Sequence, residues 1–178
     1  MEDSFFAYLQ QLELMAFFSG YPLLYAVILA IVGKKQIKNN LKSKVTSLLP
    51  FSYALVGTLY LGLQVKNLHP VYSIENIKLS MEQPYLKIWA LLAVLFWVPI
   101  LAKKPVLSLL HSLIFFFLLV KDLVVQSSFS EDGKHIIKND MKVYTDSLLI
   151  NVFSFIVVAL VYFLLQRIRQ NNKPGRFQ

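Results

Sequence analysis

Long apolar stretches alternate along this chain with short polar ones, and the apolar stretches have the length of a bilayer crossing. A helix needs roughly 20 apolar residues to cross a hydrocarbon layer about 30 Å thick. Four windows meet or approach that length: Leu14–Val32, Val45–Val65, Pro105–Val125 and Ser147–Leu165. A fifth, Tyr85–Ala102, is shorter and includes Lys87, whose long stem lets the ammonium reach the interface.

The windows Tyr85–Ala102 and Pro105–Val125 run together. From Trp89 to Val120 the chain is almost wholly apolar, but Lys103, Lys104 and Pro105 sit in the middle. As one helix, this stretch would hold two lysines near the bilayer centre, each costing about 2.5–3.5 kcal/mol. Pro105 would break the hydrogen-bond ladder at the same place. A hairpin removes both penalties, because the lysines meet water and proline is accepted in the first turn of the next helix. Two spans are expected here, and five in all.

Charge tests that count independently. With five spans, residues 33–44, 103–104 and 166–178 share one side; they carry eleven of the 18 basic residues and none of the ten acidic ones. The other side then has a net charge of −3 against +11, which recovers the overall +8. The positive-inside rule gives an outside N-terminus and a cytoplasmic C-terminus. The fold class expected is all-α: one polytopic domain over residues 1–178, a compact bundle of five transmembrane helices. A flexible basic cytoplasmic tail is expected over 166–178. The setting expected is the inner, cytoplasmic membrane of a bacterium.

Composition agrees. Of 178 residues, 56% are hydrophobic and 16% charged, against about 25% charged in a soluble domain. The acidic start, MEDSFF, lacks a basic leader region and no small-residue cleavage site follows, so the first span is expected to remain in the mature protein. Cysteine is absent, which excludes disulfides and thiolate chemistry. Basic residues spread over three short segments suit topology and contact with lipid headgroups. No extramembrane segment is large enough for a nucleic-acid face, so no nucleic-acid partner is expected.

Between the spans, residues 3–13 place Phe5, Phe6, Leu9 and Leu12 on one side of a helix. This fits either an interfacial helix or a first span that begins early and tilts. Ile74, Ile77 and Met81 behind Ser73 suggest a short amphipathic helix. Asp132-Gly133 lies between runs that read as a hairpin or a plain connector.

The informative residues are polar ones at membrane depth. Thr46, Pro50, Ala54, Thr58 and Gly62 recur every four residues, a small-residue stripe suited to close helix approach, either as a seam between two copies or against another helix of the same chain. Tyr53, Gly57, Tyr60 and Gln64 make a polar line beside it. Ser147, Asn151, Ser154 and Tyr162 should face the bundle, with Asn151 bonding another helix. His111 is the only histidine within a span, and Ser108 and Ser112 share its face. Helical rise puts His111 roughly 9 Å from the cytoplasmic end, Tyr25 and Tyr53 roughly 12 Å and Tyr162 roughly 5 Å. These six residues, His111, Ser108, Ser112, Tyr25, Tyr53 and Tyr162, are the candidate ligand-binding layer. Aromatic-belt tyrosines and a satisfied core histidine account for the same pattern.

No metal or other cofactor is expected, because a zinc site needs three or four ligands and His69 and His135 lie in loops. No paired carboxylates occupy the hydrocarbon, and His111 has no acidic partner at its depth, so no catalytic residue is assigned. Three function classes follow. The first is a small non-enzymatic subunit or assembly factor of a larger membrane complex, with other membrane subunits and the bilayer as partners and a homo-oligomer as a further possibility. The second is a protein that binds or transports a small solute or lipophilic ligand through the layer around His111. The third, a lipid-acting enzyme with His111 as acid or base, has the least support.

Overall fold

A computed structural model describes residues 11–33, 39–68, 84–128 and 133–171. Among them every regular element is helical. Helix α1 covers Gln11–Gly33, α2 Asn39–Asn67, α3 Pro84–Leu91, α4 Pro99–Ala102, α5 Pro105–Ser128 and α6 Gly133–Asn171. Four stretches are long and apolar enough to cross a membrane: Gln11–Gly33, Lys42–Asn67, Pro105–Val125 and Met141–Asn171.

Each α-helix bears the mark of its sequence. α1 slackens at Ser19–Gly20, where Pro22 has no N–H to give back to the preceding turn. The Ser19 hydroxyl bonds the Met15 carbonyl at 2.6 Å, and Leu24 N–H still reaches Gly20 at 3.2 Å. α2 carries Pro50 in its interior without ending there.

Pairwise contacts give the helix directions. α1 and α2 run oppositely, with Glu13 at Gln64, Phe17 at Tyr60 and Tyr21 at Tyr53. α1 and α5 also run oppositely, with Gln11 at Asp122, Phe18 at Phe115 and Tyr21 at Ser108. α2 and α5 therefore point the same way. The chain between them has to return from the far end of α2 to the near end of α5, and α3 and α4 lie on that return.

This return differs from the single helix expected over Tyr85–Ala102. After α3 the chain tightens into a 3-10 helix over Leu92–Trp97 and goes extended at Val98 (φ −72°, ψ 125°); Pro99 then starts α4. Proline pushes its predecessor out of the helical region, so Pro99 dictates the break at Val98. The turn at Lys103–Lys104 and the restart at Pro105 match the expected hairpin, and both lysines are exposed.

Two further expectations change. The run after Gly133, read as a hairpin strand or connector, is helical and continuous with the last span, and residues 166–171, read as tail, extend the same helix. A 39-residue helix is about 58 Å long, well beyond the hydrocarbon. Residues 3–10, Ser73–Met81, Asp132 and the tail from 172 lie outside the described residues.

The core is aromatic. Phe18, Tyr21, Tyr53, Tyr60 and Phe115 are buried together, with Phe18 stacked on Phe115 at 4.9 Å. Two glycines set the closest approaches. A Cβ on Gly20 would lie 2.6 Å from the Leu148 backbone nitrogen, and one on Gly57 would lie 2.8 Å from the Ala93 Cβ.

Candidate functional site

His111 lies one and a half turns into α5, on the inward face with Ser108 and Ser112; all three are buried. Its two ring nitrogens point at different elements. Nε2 is 2.9 Å from the Trp89 carbonyl oxygen of α3, and Nδ1 is 2.7 Å from the Tyr53 hydroxyl of α2. A carbonyl can only accept, so the proton of a neutral ring sits on Nε2 and Nδ1 accepts a hydrogen bond from the Tyr53 hydroxyl. Trp89 answers in the other direction, its indole N–H donating to the His111 carbonyl at 3.2 Å. The two rings stack at 4.7 Å with 9° between planes. Phe96 closes the remaining side edge-on at 5.8 Å.

A second polar contact lies beside the first. Ser108 donates to the Pro105 carbonyl at 2.7 Å, which leaves its oxygen to accept from Tyr21 at 2.8 Å. The Tyr21 and Tyr53 rings are 4.4 Å apart, so the two hydrogen-bonded pairs form one layer across α1, α2, α3 and α5. Ser112 turns back on its own helix, to the Leu109 carbonyl at 2.8 Å.

The sequence-derived set is thus only partly assembled. His111 and Tyr53 bond directly; Ser108 joins them through Tyr21. Tyr25 is buried against Tyr21 at 6.1 Å, beside the layer. Tyr162 is elsewhere, on α6 against Phe163 and next to Leu165, Gln166 and Arg169. Tyr21 and Trp89 were missed. Tyr21 is one turn from Tyr25 and was legible as a tyrosine at depth. Trp89 takes part through its backbone carbonyl, which no residue pattern displays.

Of the helix-packing set, Ala54 is buried while Thr58 and Gly62 face outward; Gly62 has open space around it. Thr58 instead accepts from the Trp97 indole at 2.9 Å. The close contact of α2 comes from Gly57, on the neighbouring face. Asn151 does reach another helix, donating to the Phe17 carbonyl and to Ser147, both at 2.8 Å. Ser147 in turn accepts the Gly20 N–H at 2.9 Å, and Ser154 is buried. The Tyr60 hydroxyl and Asn151 Oδ1 are buried without a partner among the described residues.

One end of the bundle holds a charged cluster. Glu13 accepts from Gln64, and Asp122 accepts from Gln11, each at 2.7 Å. Lys87 is buried, within electrostatic reach of Glu13. These contacts tie the ends of α1, α2, α3 and α5 together.

No protein-family model, curated protein or solved structure matches this chain. What the fold itself defines is an all-helical protein with four helices long and apolar enough to cross a membrane.

Proposed function

We propose that the chain is a small non-enzymatic integral membrane subunit or assembly factor of a larger membrane complex. The observation carrying this reading is the commitment of His111. Both ring nitrogens are used within the fold, so the residue best suited to chemistry at membrane depth acts as a brace between three elements. A ligand in this layer would have to displace Tyr53 or the Trp89 carbonyl from it. The long α6 supports the same reading: most of its apolar side chains, Ile156, Leu160, Phe163 and Leu164 among them, are exposed, which leaves them open to lipid or to a partner helix.

In this reading α3 and α4 make a fifth crossing. Six 3-10 residues rise about 12 Å where α-helix would rise about 9 Å, which lengthens a segment otherwise short of apolar residues. Orientation follows charge, with the Lys103–Lys104 turn and the end of α6 cytoplasmic. The membrane is the inner membrane of a bacterium.

Purification of the tagged full chain in mild detergent tests the role. A subunit is expected to bring larger membrane proteins with it in fixed stoichiometry. Purification alone, together with a solute- or ligand-binding signal lost in His111→Ala at normal protein level, would instead support the binding and transport reading.

A further inference from the structure

Outside the aromatic core, three adjoining open depressions of about 390, 370 and 510 Å³ run along α6, the first two walled on their other side by α2. The first two share Leu55 and Val157, and the last two share Tyr162 and Leu165. Phe51, Val161 and Trp97 wall the middle one. The run therefore begins apolar and ends at Gln166, Arg169 and Gln170. The middle depression runs from Ser47 to Leu55 on α2 and from Val157 to Leu165 on α6. Eight helical steps are about 12 Å, close to one leaflet's half of a hydrocarbon core about 30 Å thick.

Charge selects the occupant. Arg169 lines the polar end, and Lys44 lies one turn before Ser47, on the same face of α2. Neither has a carboxylate partner among the described residues. The sequence has no acidic residue between Glu13 and Glu75 and none after Asp146, so neither basic residue has an acidic side chain near it in sequence. The walls are bulky Phe, Leu and Val, whereas helices that pack closely in membranes present small residues. An acyl chain fills such walls without that requirement, and a basic site between helix ends suits an anionic headgroup. We infer that this groove holds one anionic phospholipid of the leaflet at the Arg169 end. Its acyl chain lies along Leu55, Val157 and Val161, and its phosphate sits at Arg169 with Tyr162, Gln166 and Lys44 around it.

Trp97 supplies the readout, taken as the quenching that is lost in Trp97→Phe, which keeps only Trp89. The full-length protein is reconstituted in phosphatidylcholine vesicles containing a brominated quencher lipid, either phosphatidylglycerol or phosphatidylcholine. Brominated phosphatidylglycerol is expected to quench with a preference of about fivefold, equivalent to about 1 kcal/mol for one basic contact. Arg169→Gln with Lys44→Gln should bring the preference to one, while Arg169→Lys should keep it. Arg167→Gln, two residues away on another face of α6, should leave it unchanged. Equal quenching by both lipids in the wild type would overturn the site, as would an equal loss in Arg167→Gln, which would mean diffuse surface charge. Displacement by inorganic phosphate at matched ionic strength would make free phosphate the ligand. Efficient disulfide formation by Val157→Cys between two copies would make the occupant protein. Either result ends the proposal.

Discussion

At the scale of single residues, two tyrosines on one face of α2 make a controlled comparison. Tyr53 donates a hydrogen bond to His111, while the Tyr60 hydroxyl is buried without a partner among the described residues. Phenylalanine keeps the ring packing at both sites and removes only the oxygen. Tyr53→Phe leaves a buried lone pair on Nδ1 and should destabilise the protein by about 1–3 kcal/mol. Tyr60→Phe removes an unsatisfied group and should lie between no change and a gain of about 1 kcal/mol. Unfolding titrations in mixed micelles measure both; equal losses would show that the His111 bond contributes nothing beyond the ring. Asn151→Ala gives up an interhelical bond to Phe17. Its loss should be about 0.6–1.7 kcal/mol by the same titration.

At the scale of helices, glycine position decides what recurrence alone leaves open. The four-residue stripe ending at Gly62 allowed a seam between copies or one within the bundle; within the bundle Gly62 meets open space and Gly57 meets Ala93. Gly62→Ala should be neutral or stabilising by up to about 1 kcal/mol through helix propensity. Gly57→Ala and Gly20→Ala force backbone apart and should each cost about 1–3 kcal/mol or more. Thermal unfolding in detergent separates the two classes, and a loss in Gly62→Ala equal to that in Gly57→Ala would refute the packing described here. The return segment teaches a related point. Its apolar run was readable, and Pro99 was visible in it, but the 3-10 winding before Val98 answers to packing against α2, with Gly57 at Ala93 and Phe51 at Trp97.

At the scale of the whole molecule, topology is the quantity to measure. If α3 and α4 cross the bilayer, cysteine at position 103 or 104 and a reporter after Lys44 must read the same side. Since the chain has no cysteine of its own, polar maleimide labelling of Lys103→Cys in intact and opened cells is clean. Labelling only after opening is expected; labelling in intact cells would reverse the turn, and protection in both would bury it.

Hydropathy and charge alone determined the four long apolar helices and the turn at Lys103–Lys104. Each rests on a cost that one segment incurs wherever its neighbours lie: an apolar run in water, or a lysine in hydrocarbon. The same reasoning put Ser108, His111 and Ser112 on one face, because helical period is local. Which helices adjoin was decided only by tertiary packing. Tyr162 was counted into one polar layer with His111 yet lies beside Ser47, Phe51 and Leu55 of α2, and a ring nitrogen of His111 meets instead a backbone carbonyl, identical in every residue type. Depth along a helix is additive in residues and can be counted. Azimuth around a bundle depends on every close approach at once, and here Gly20 and Gly57 set it.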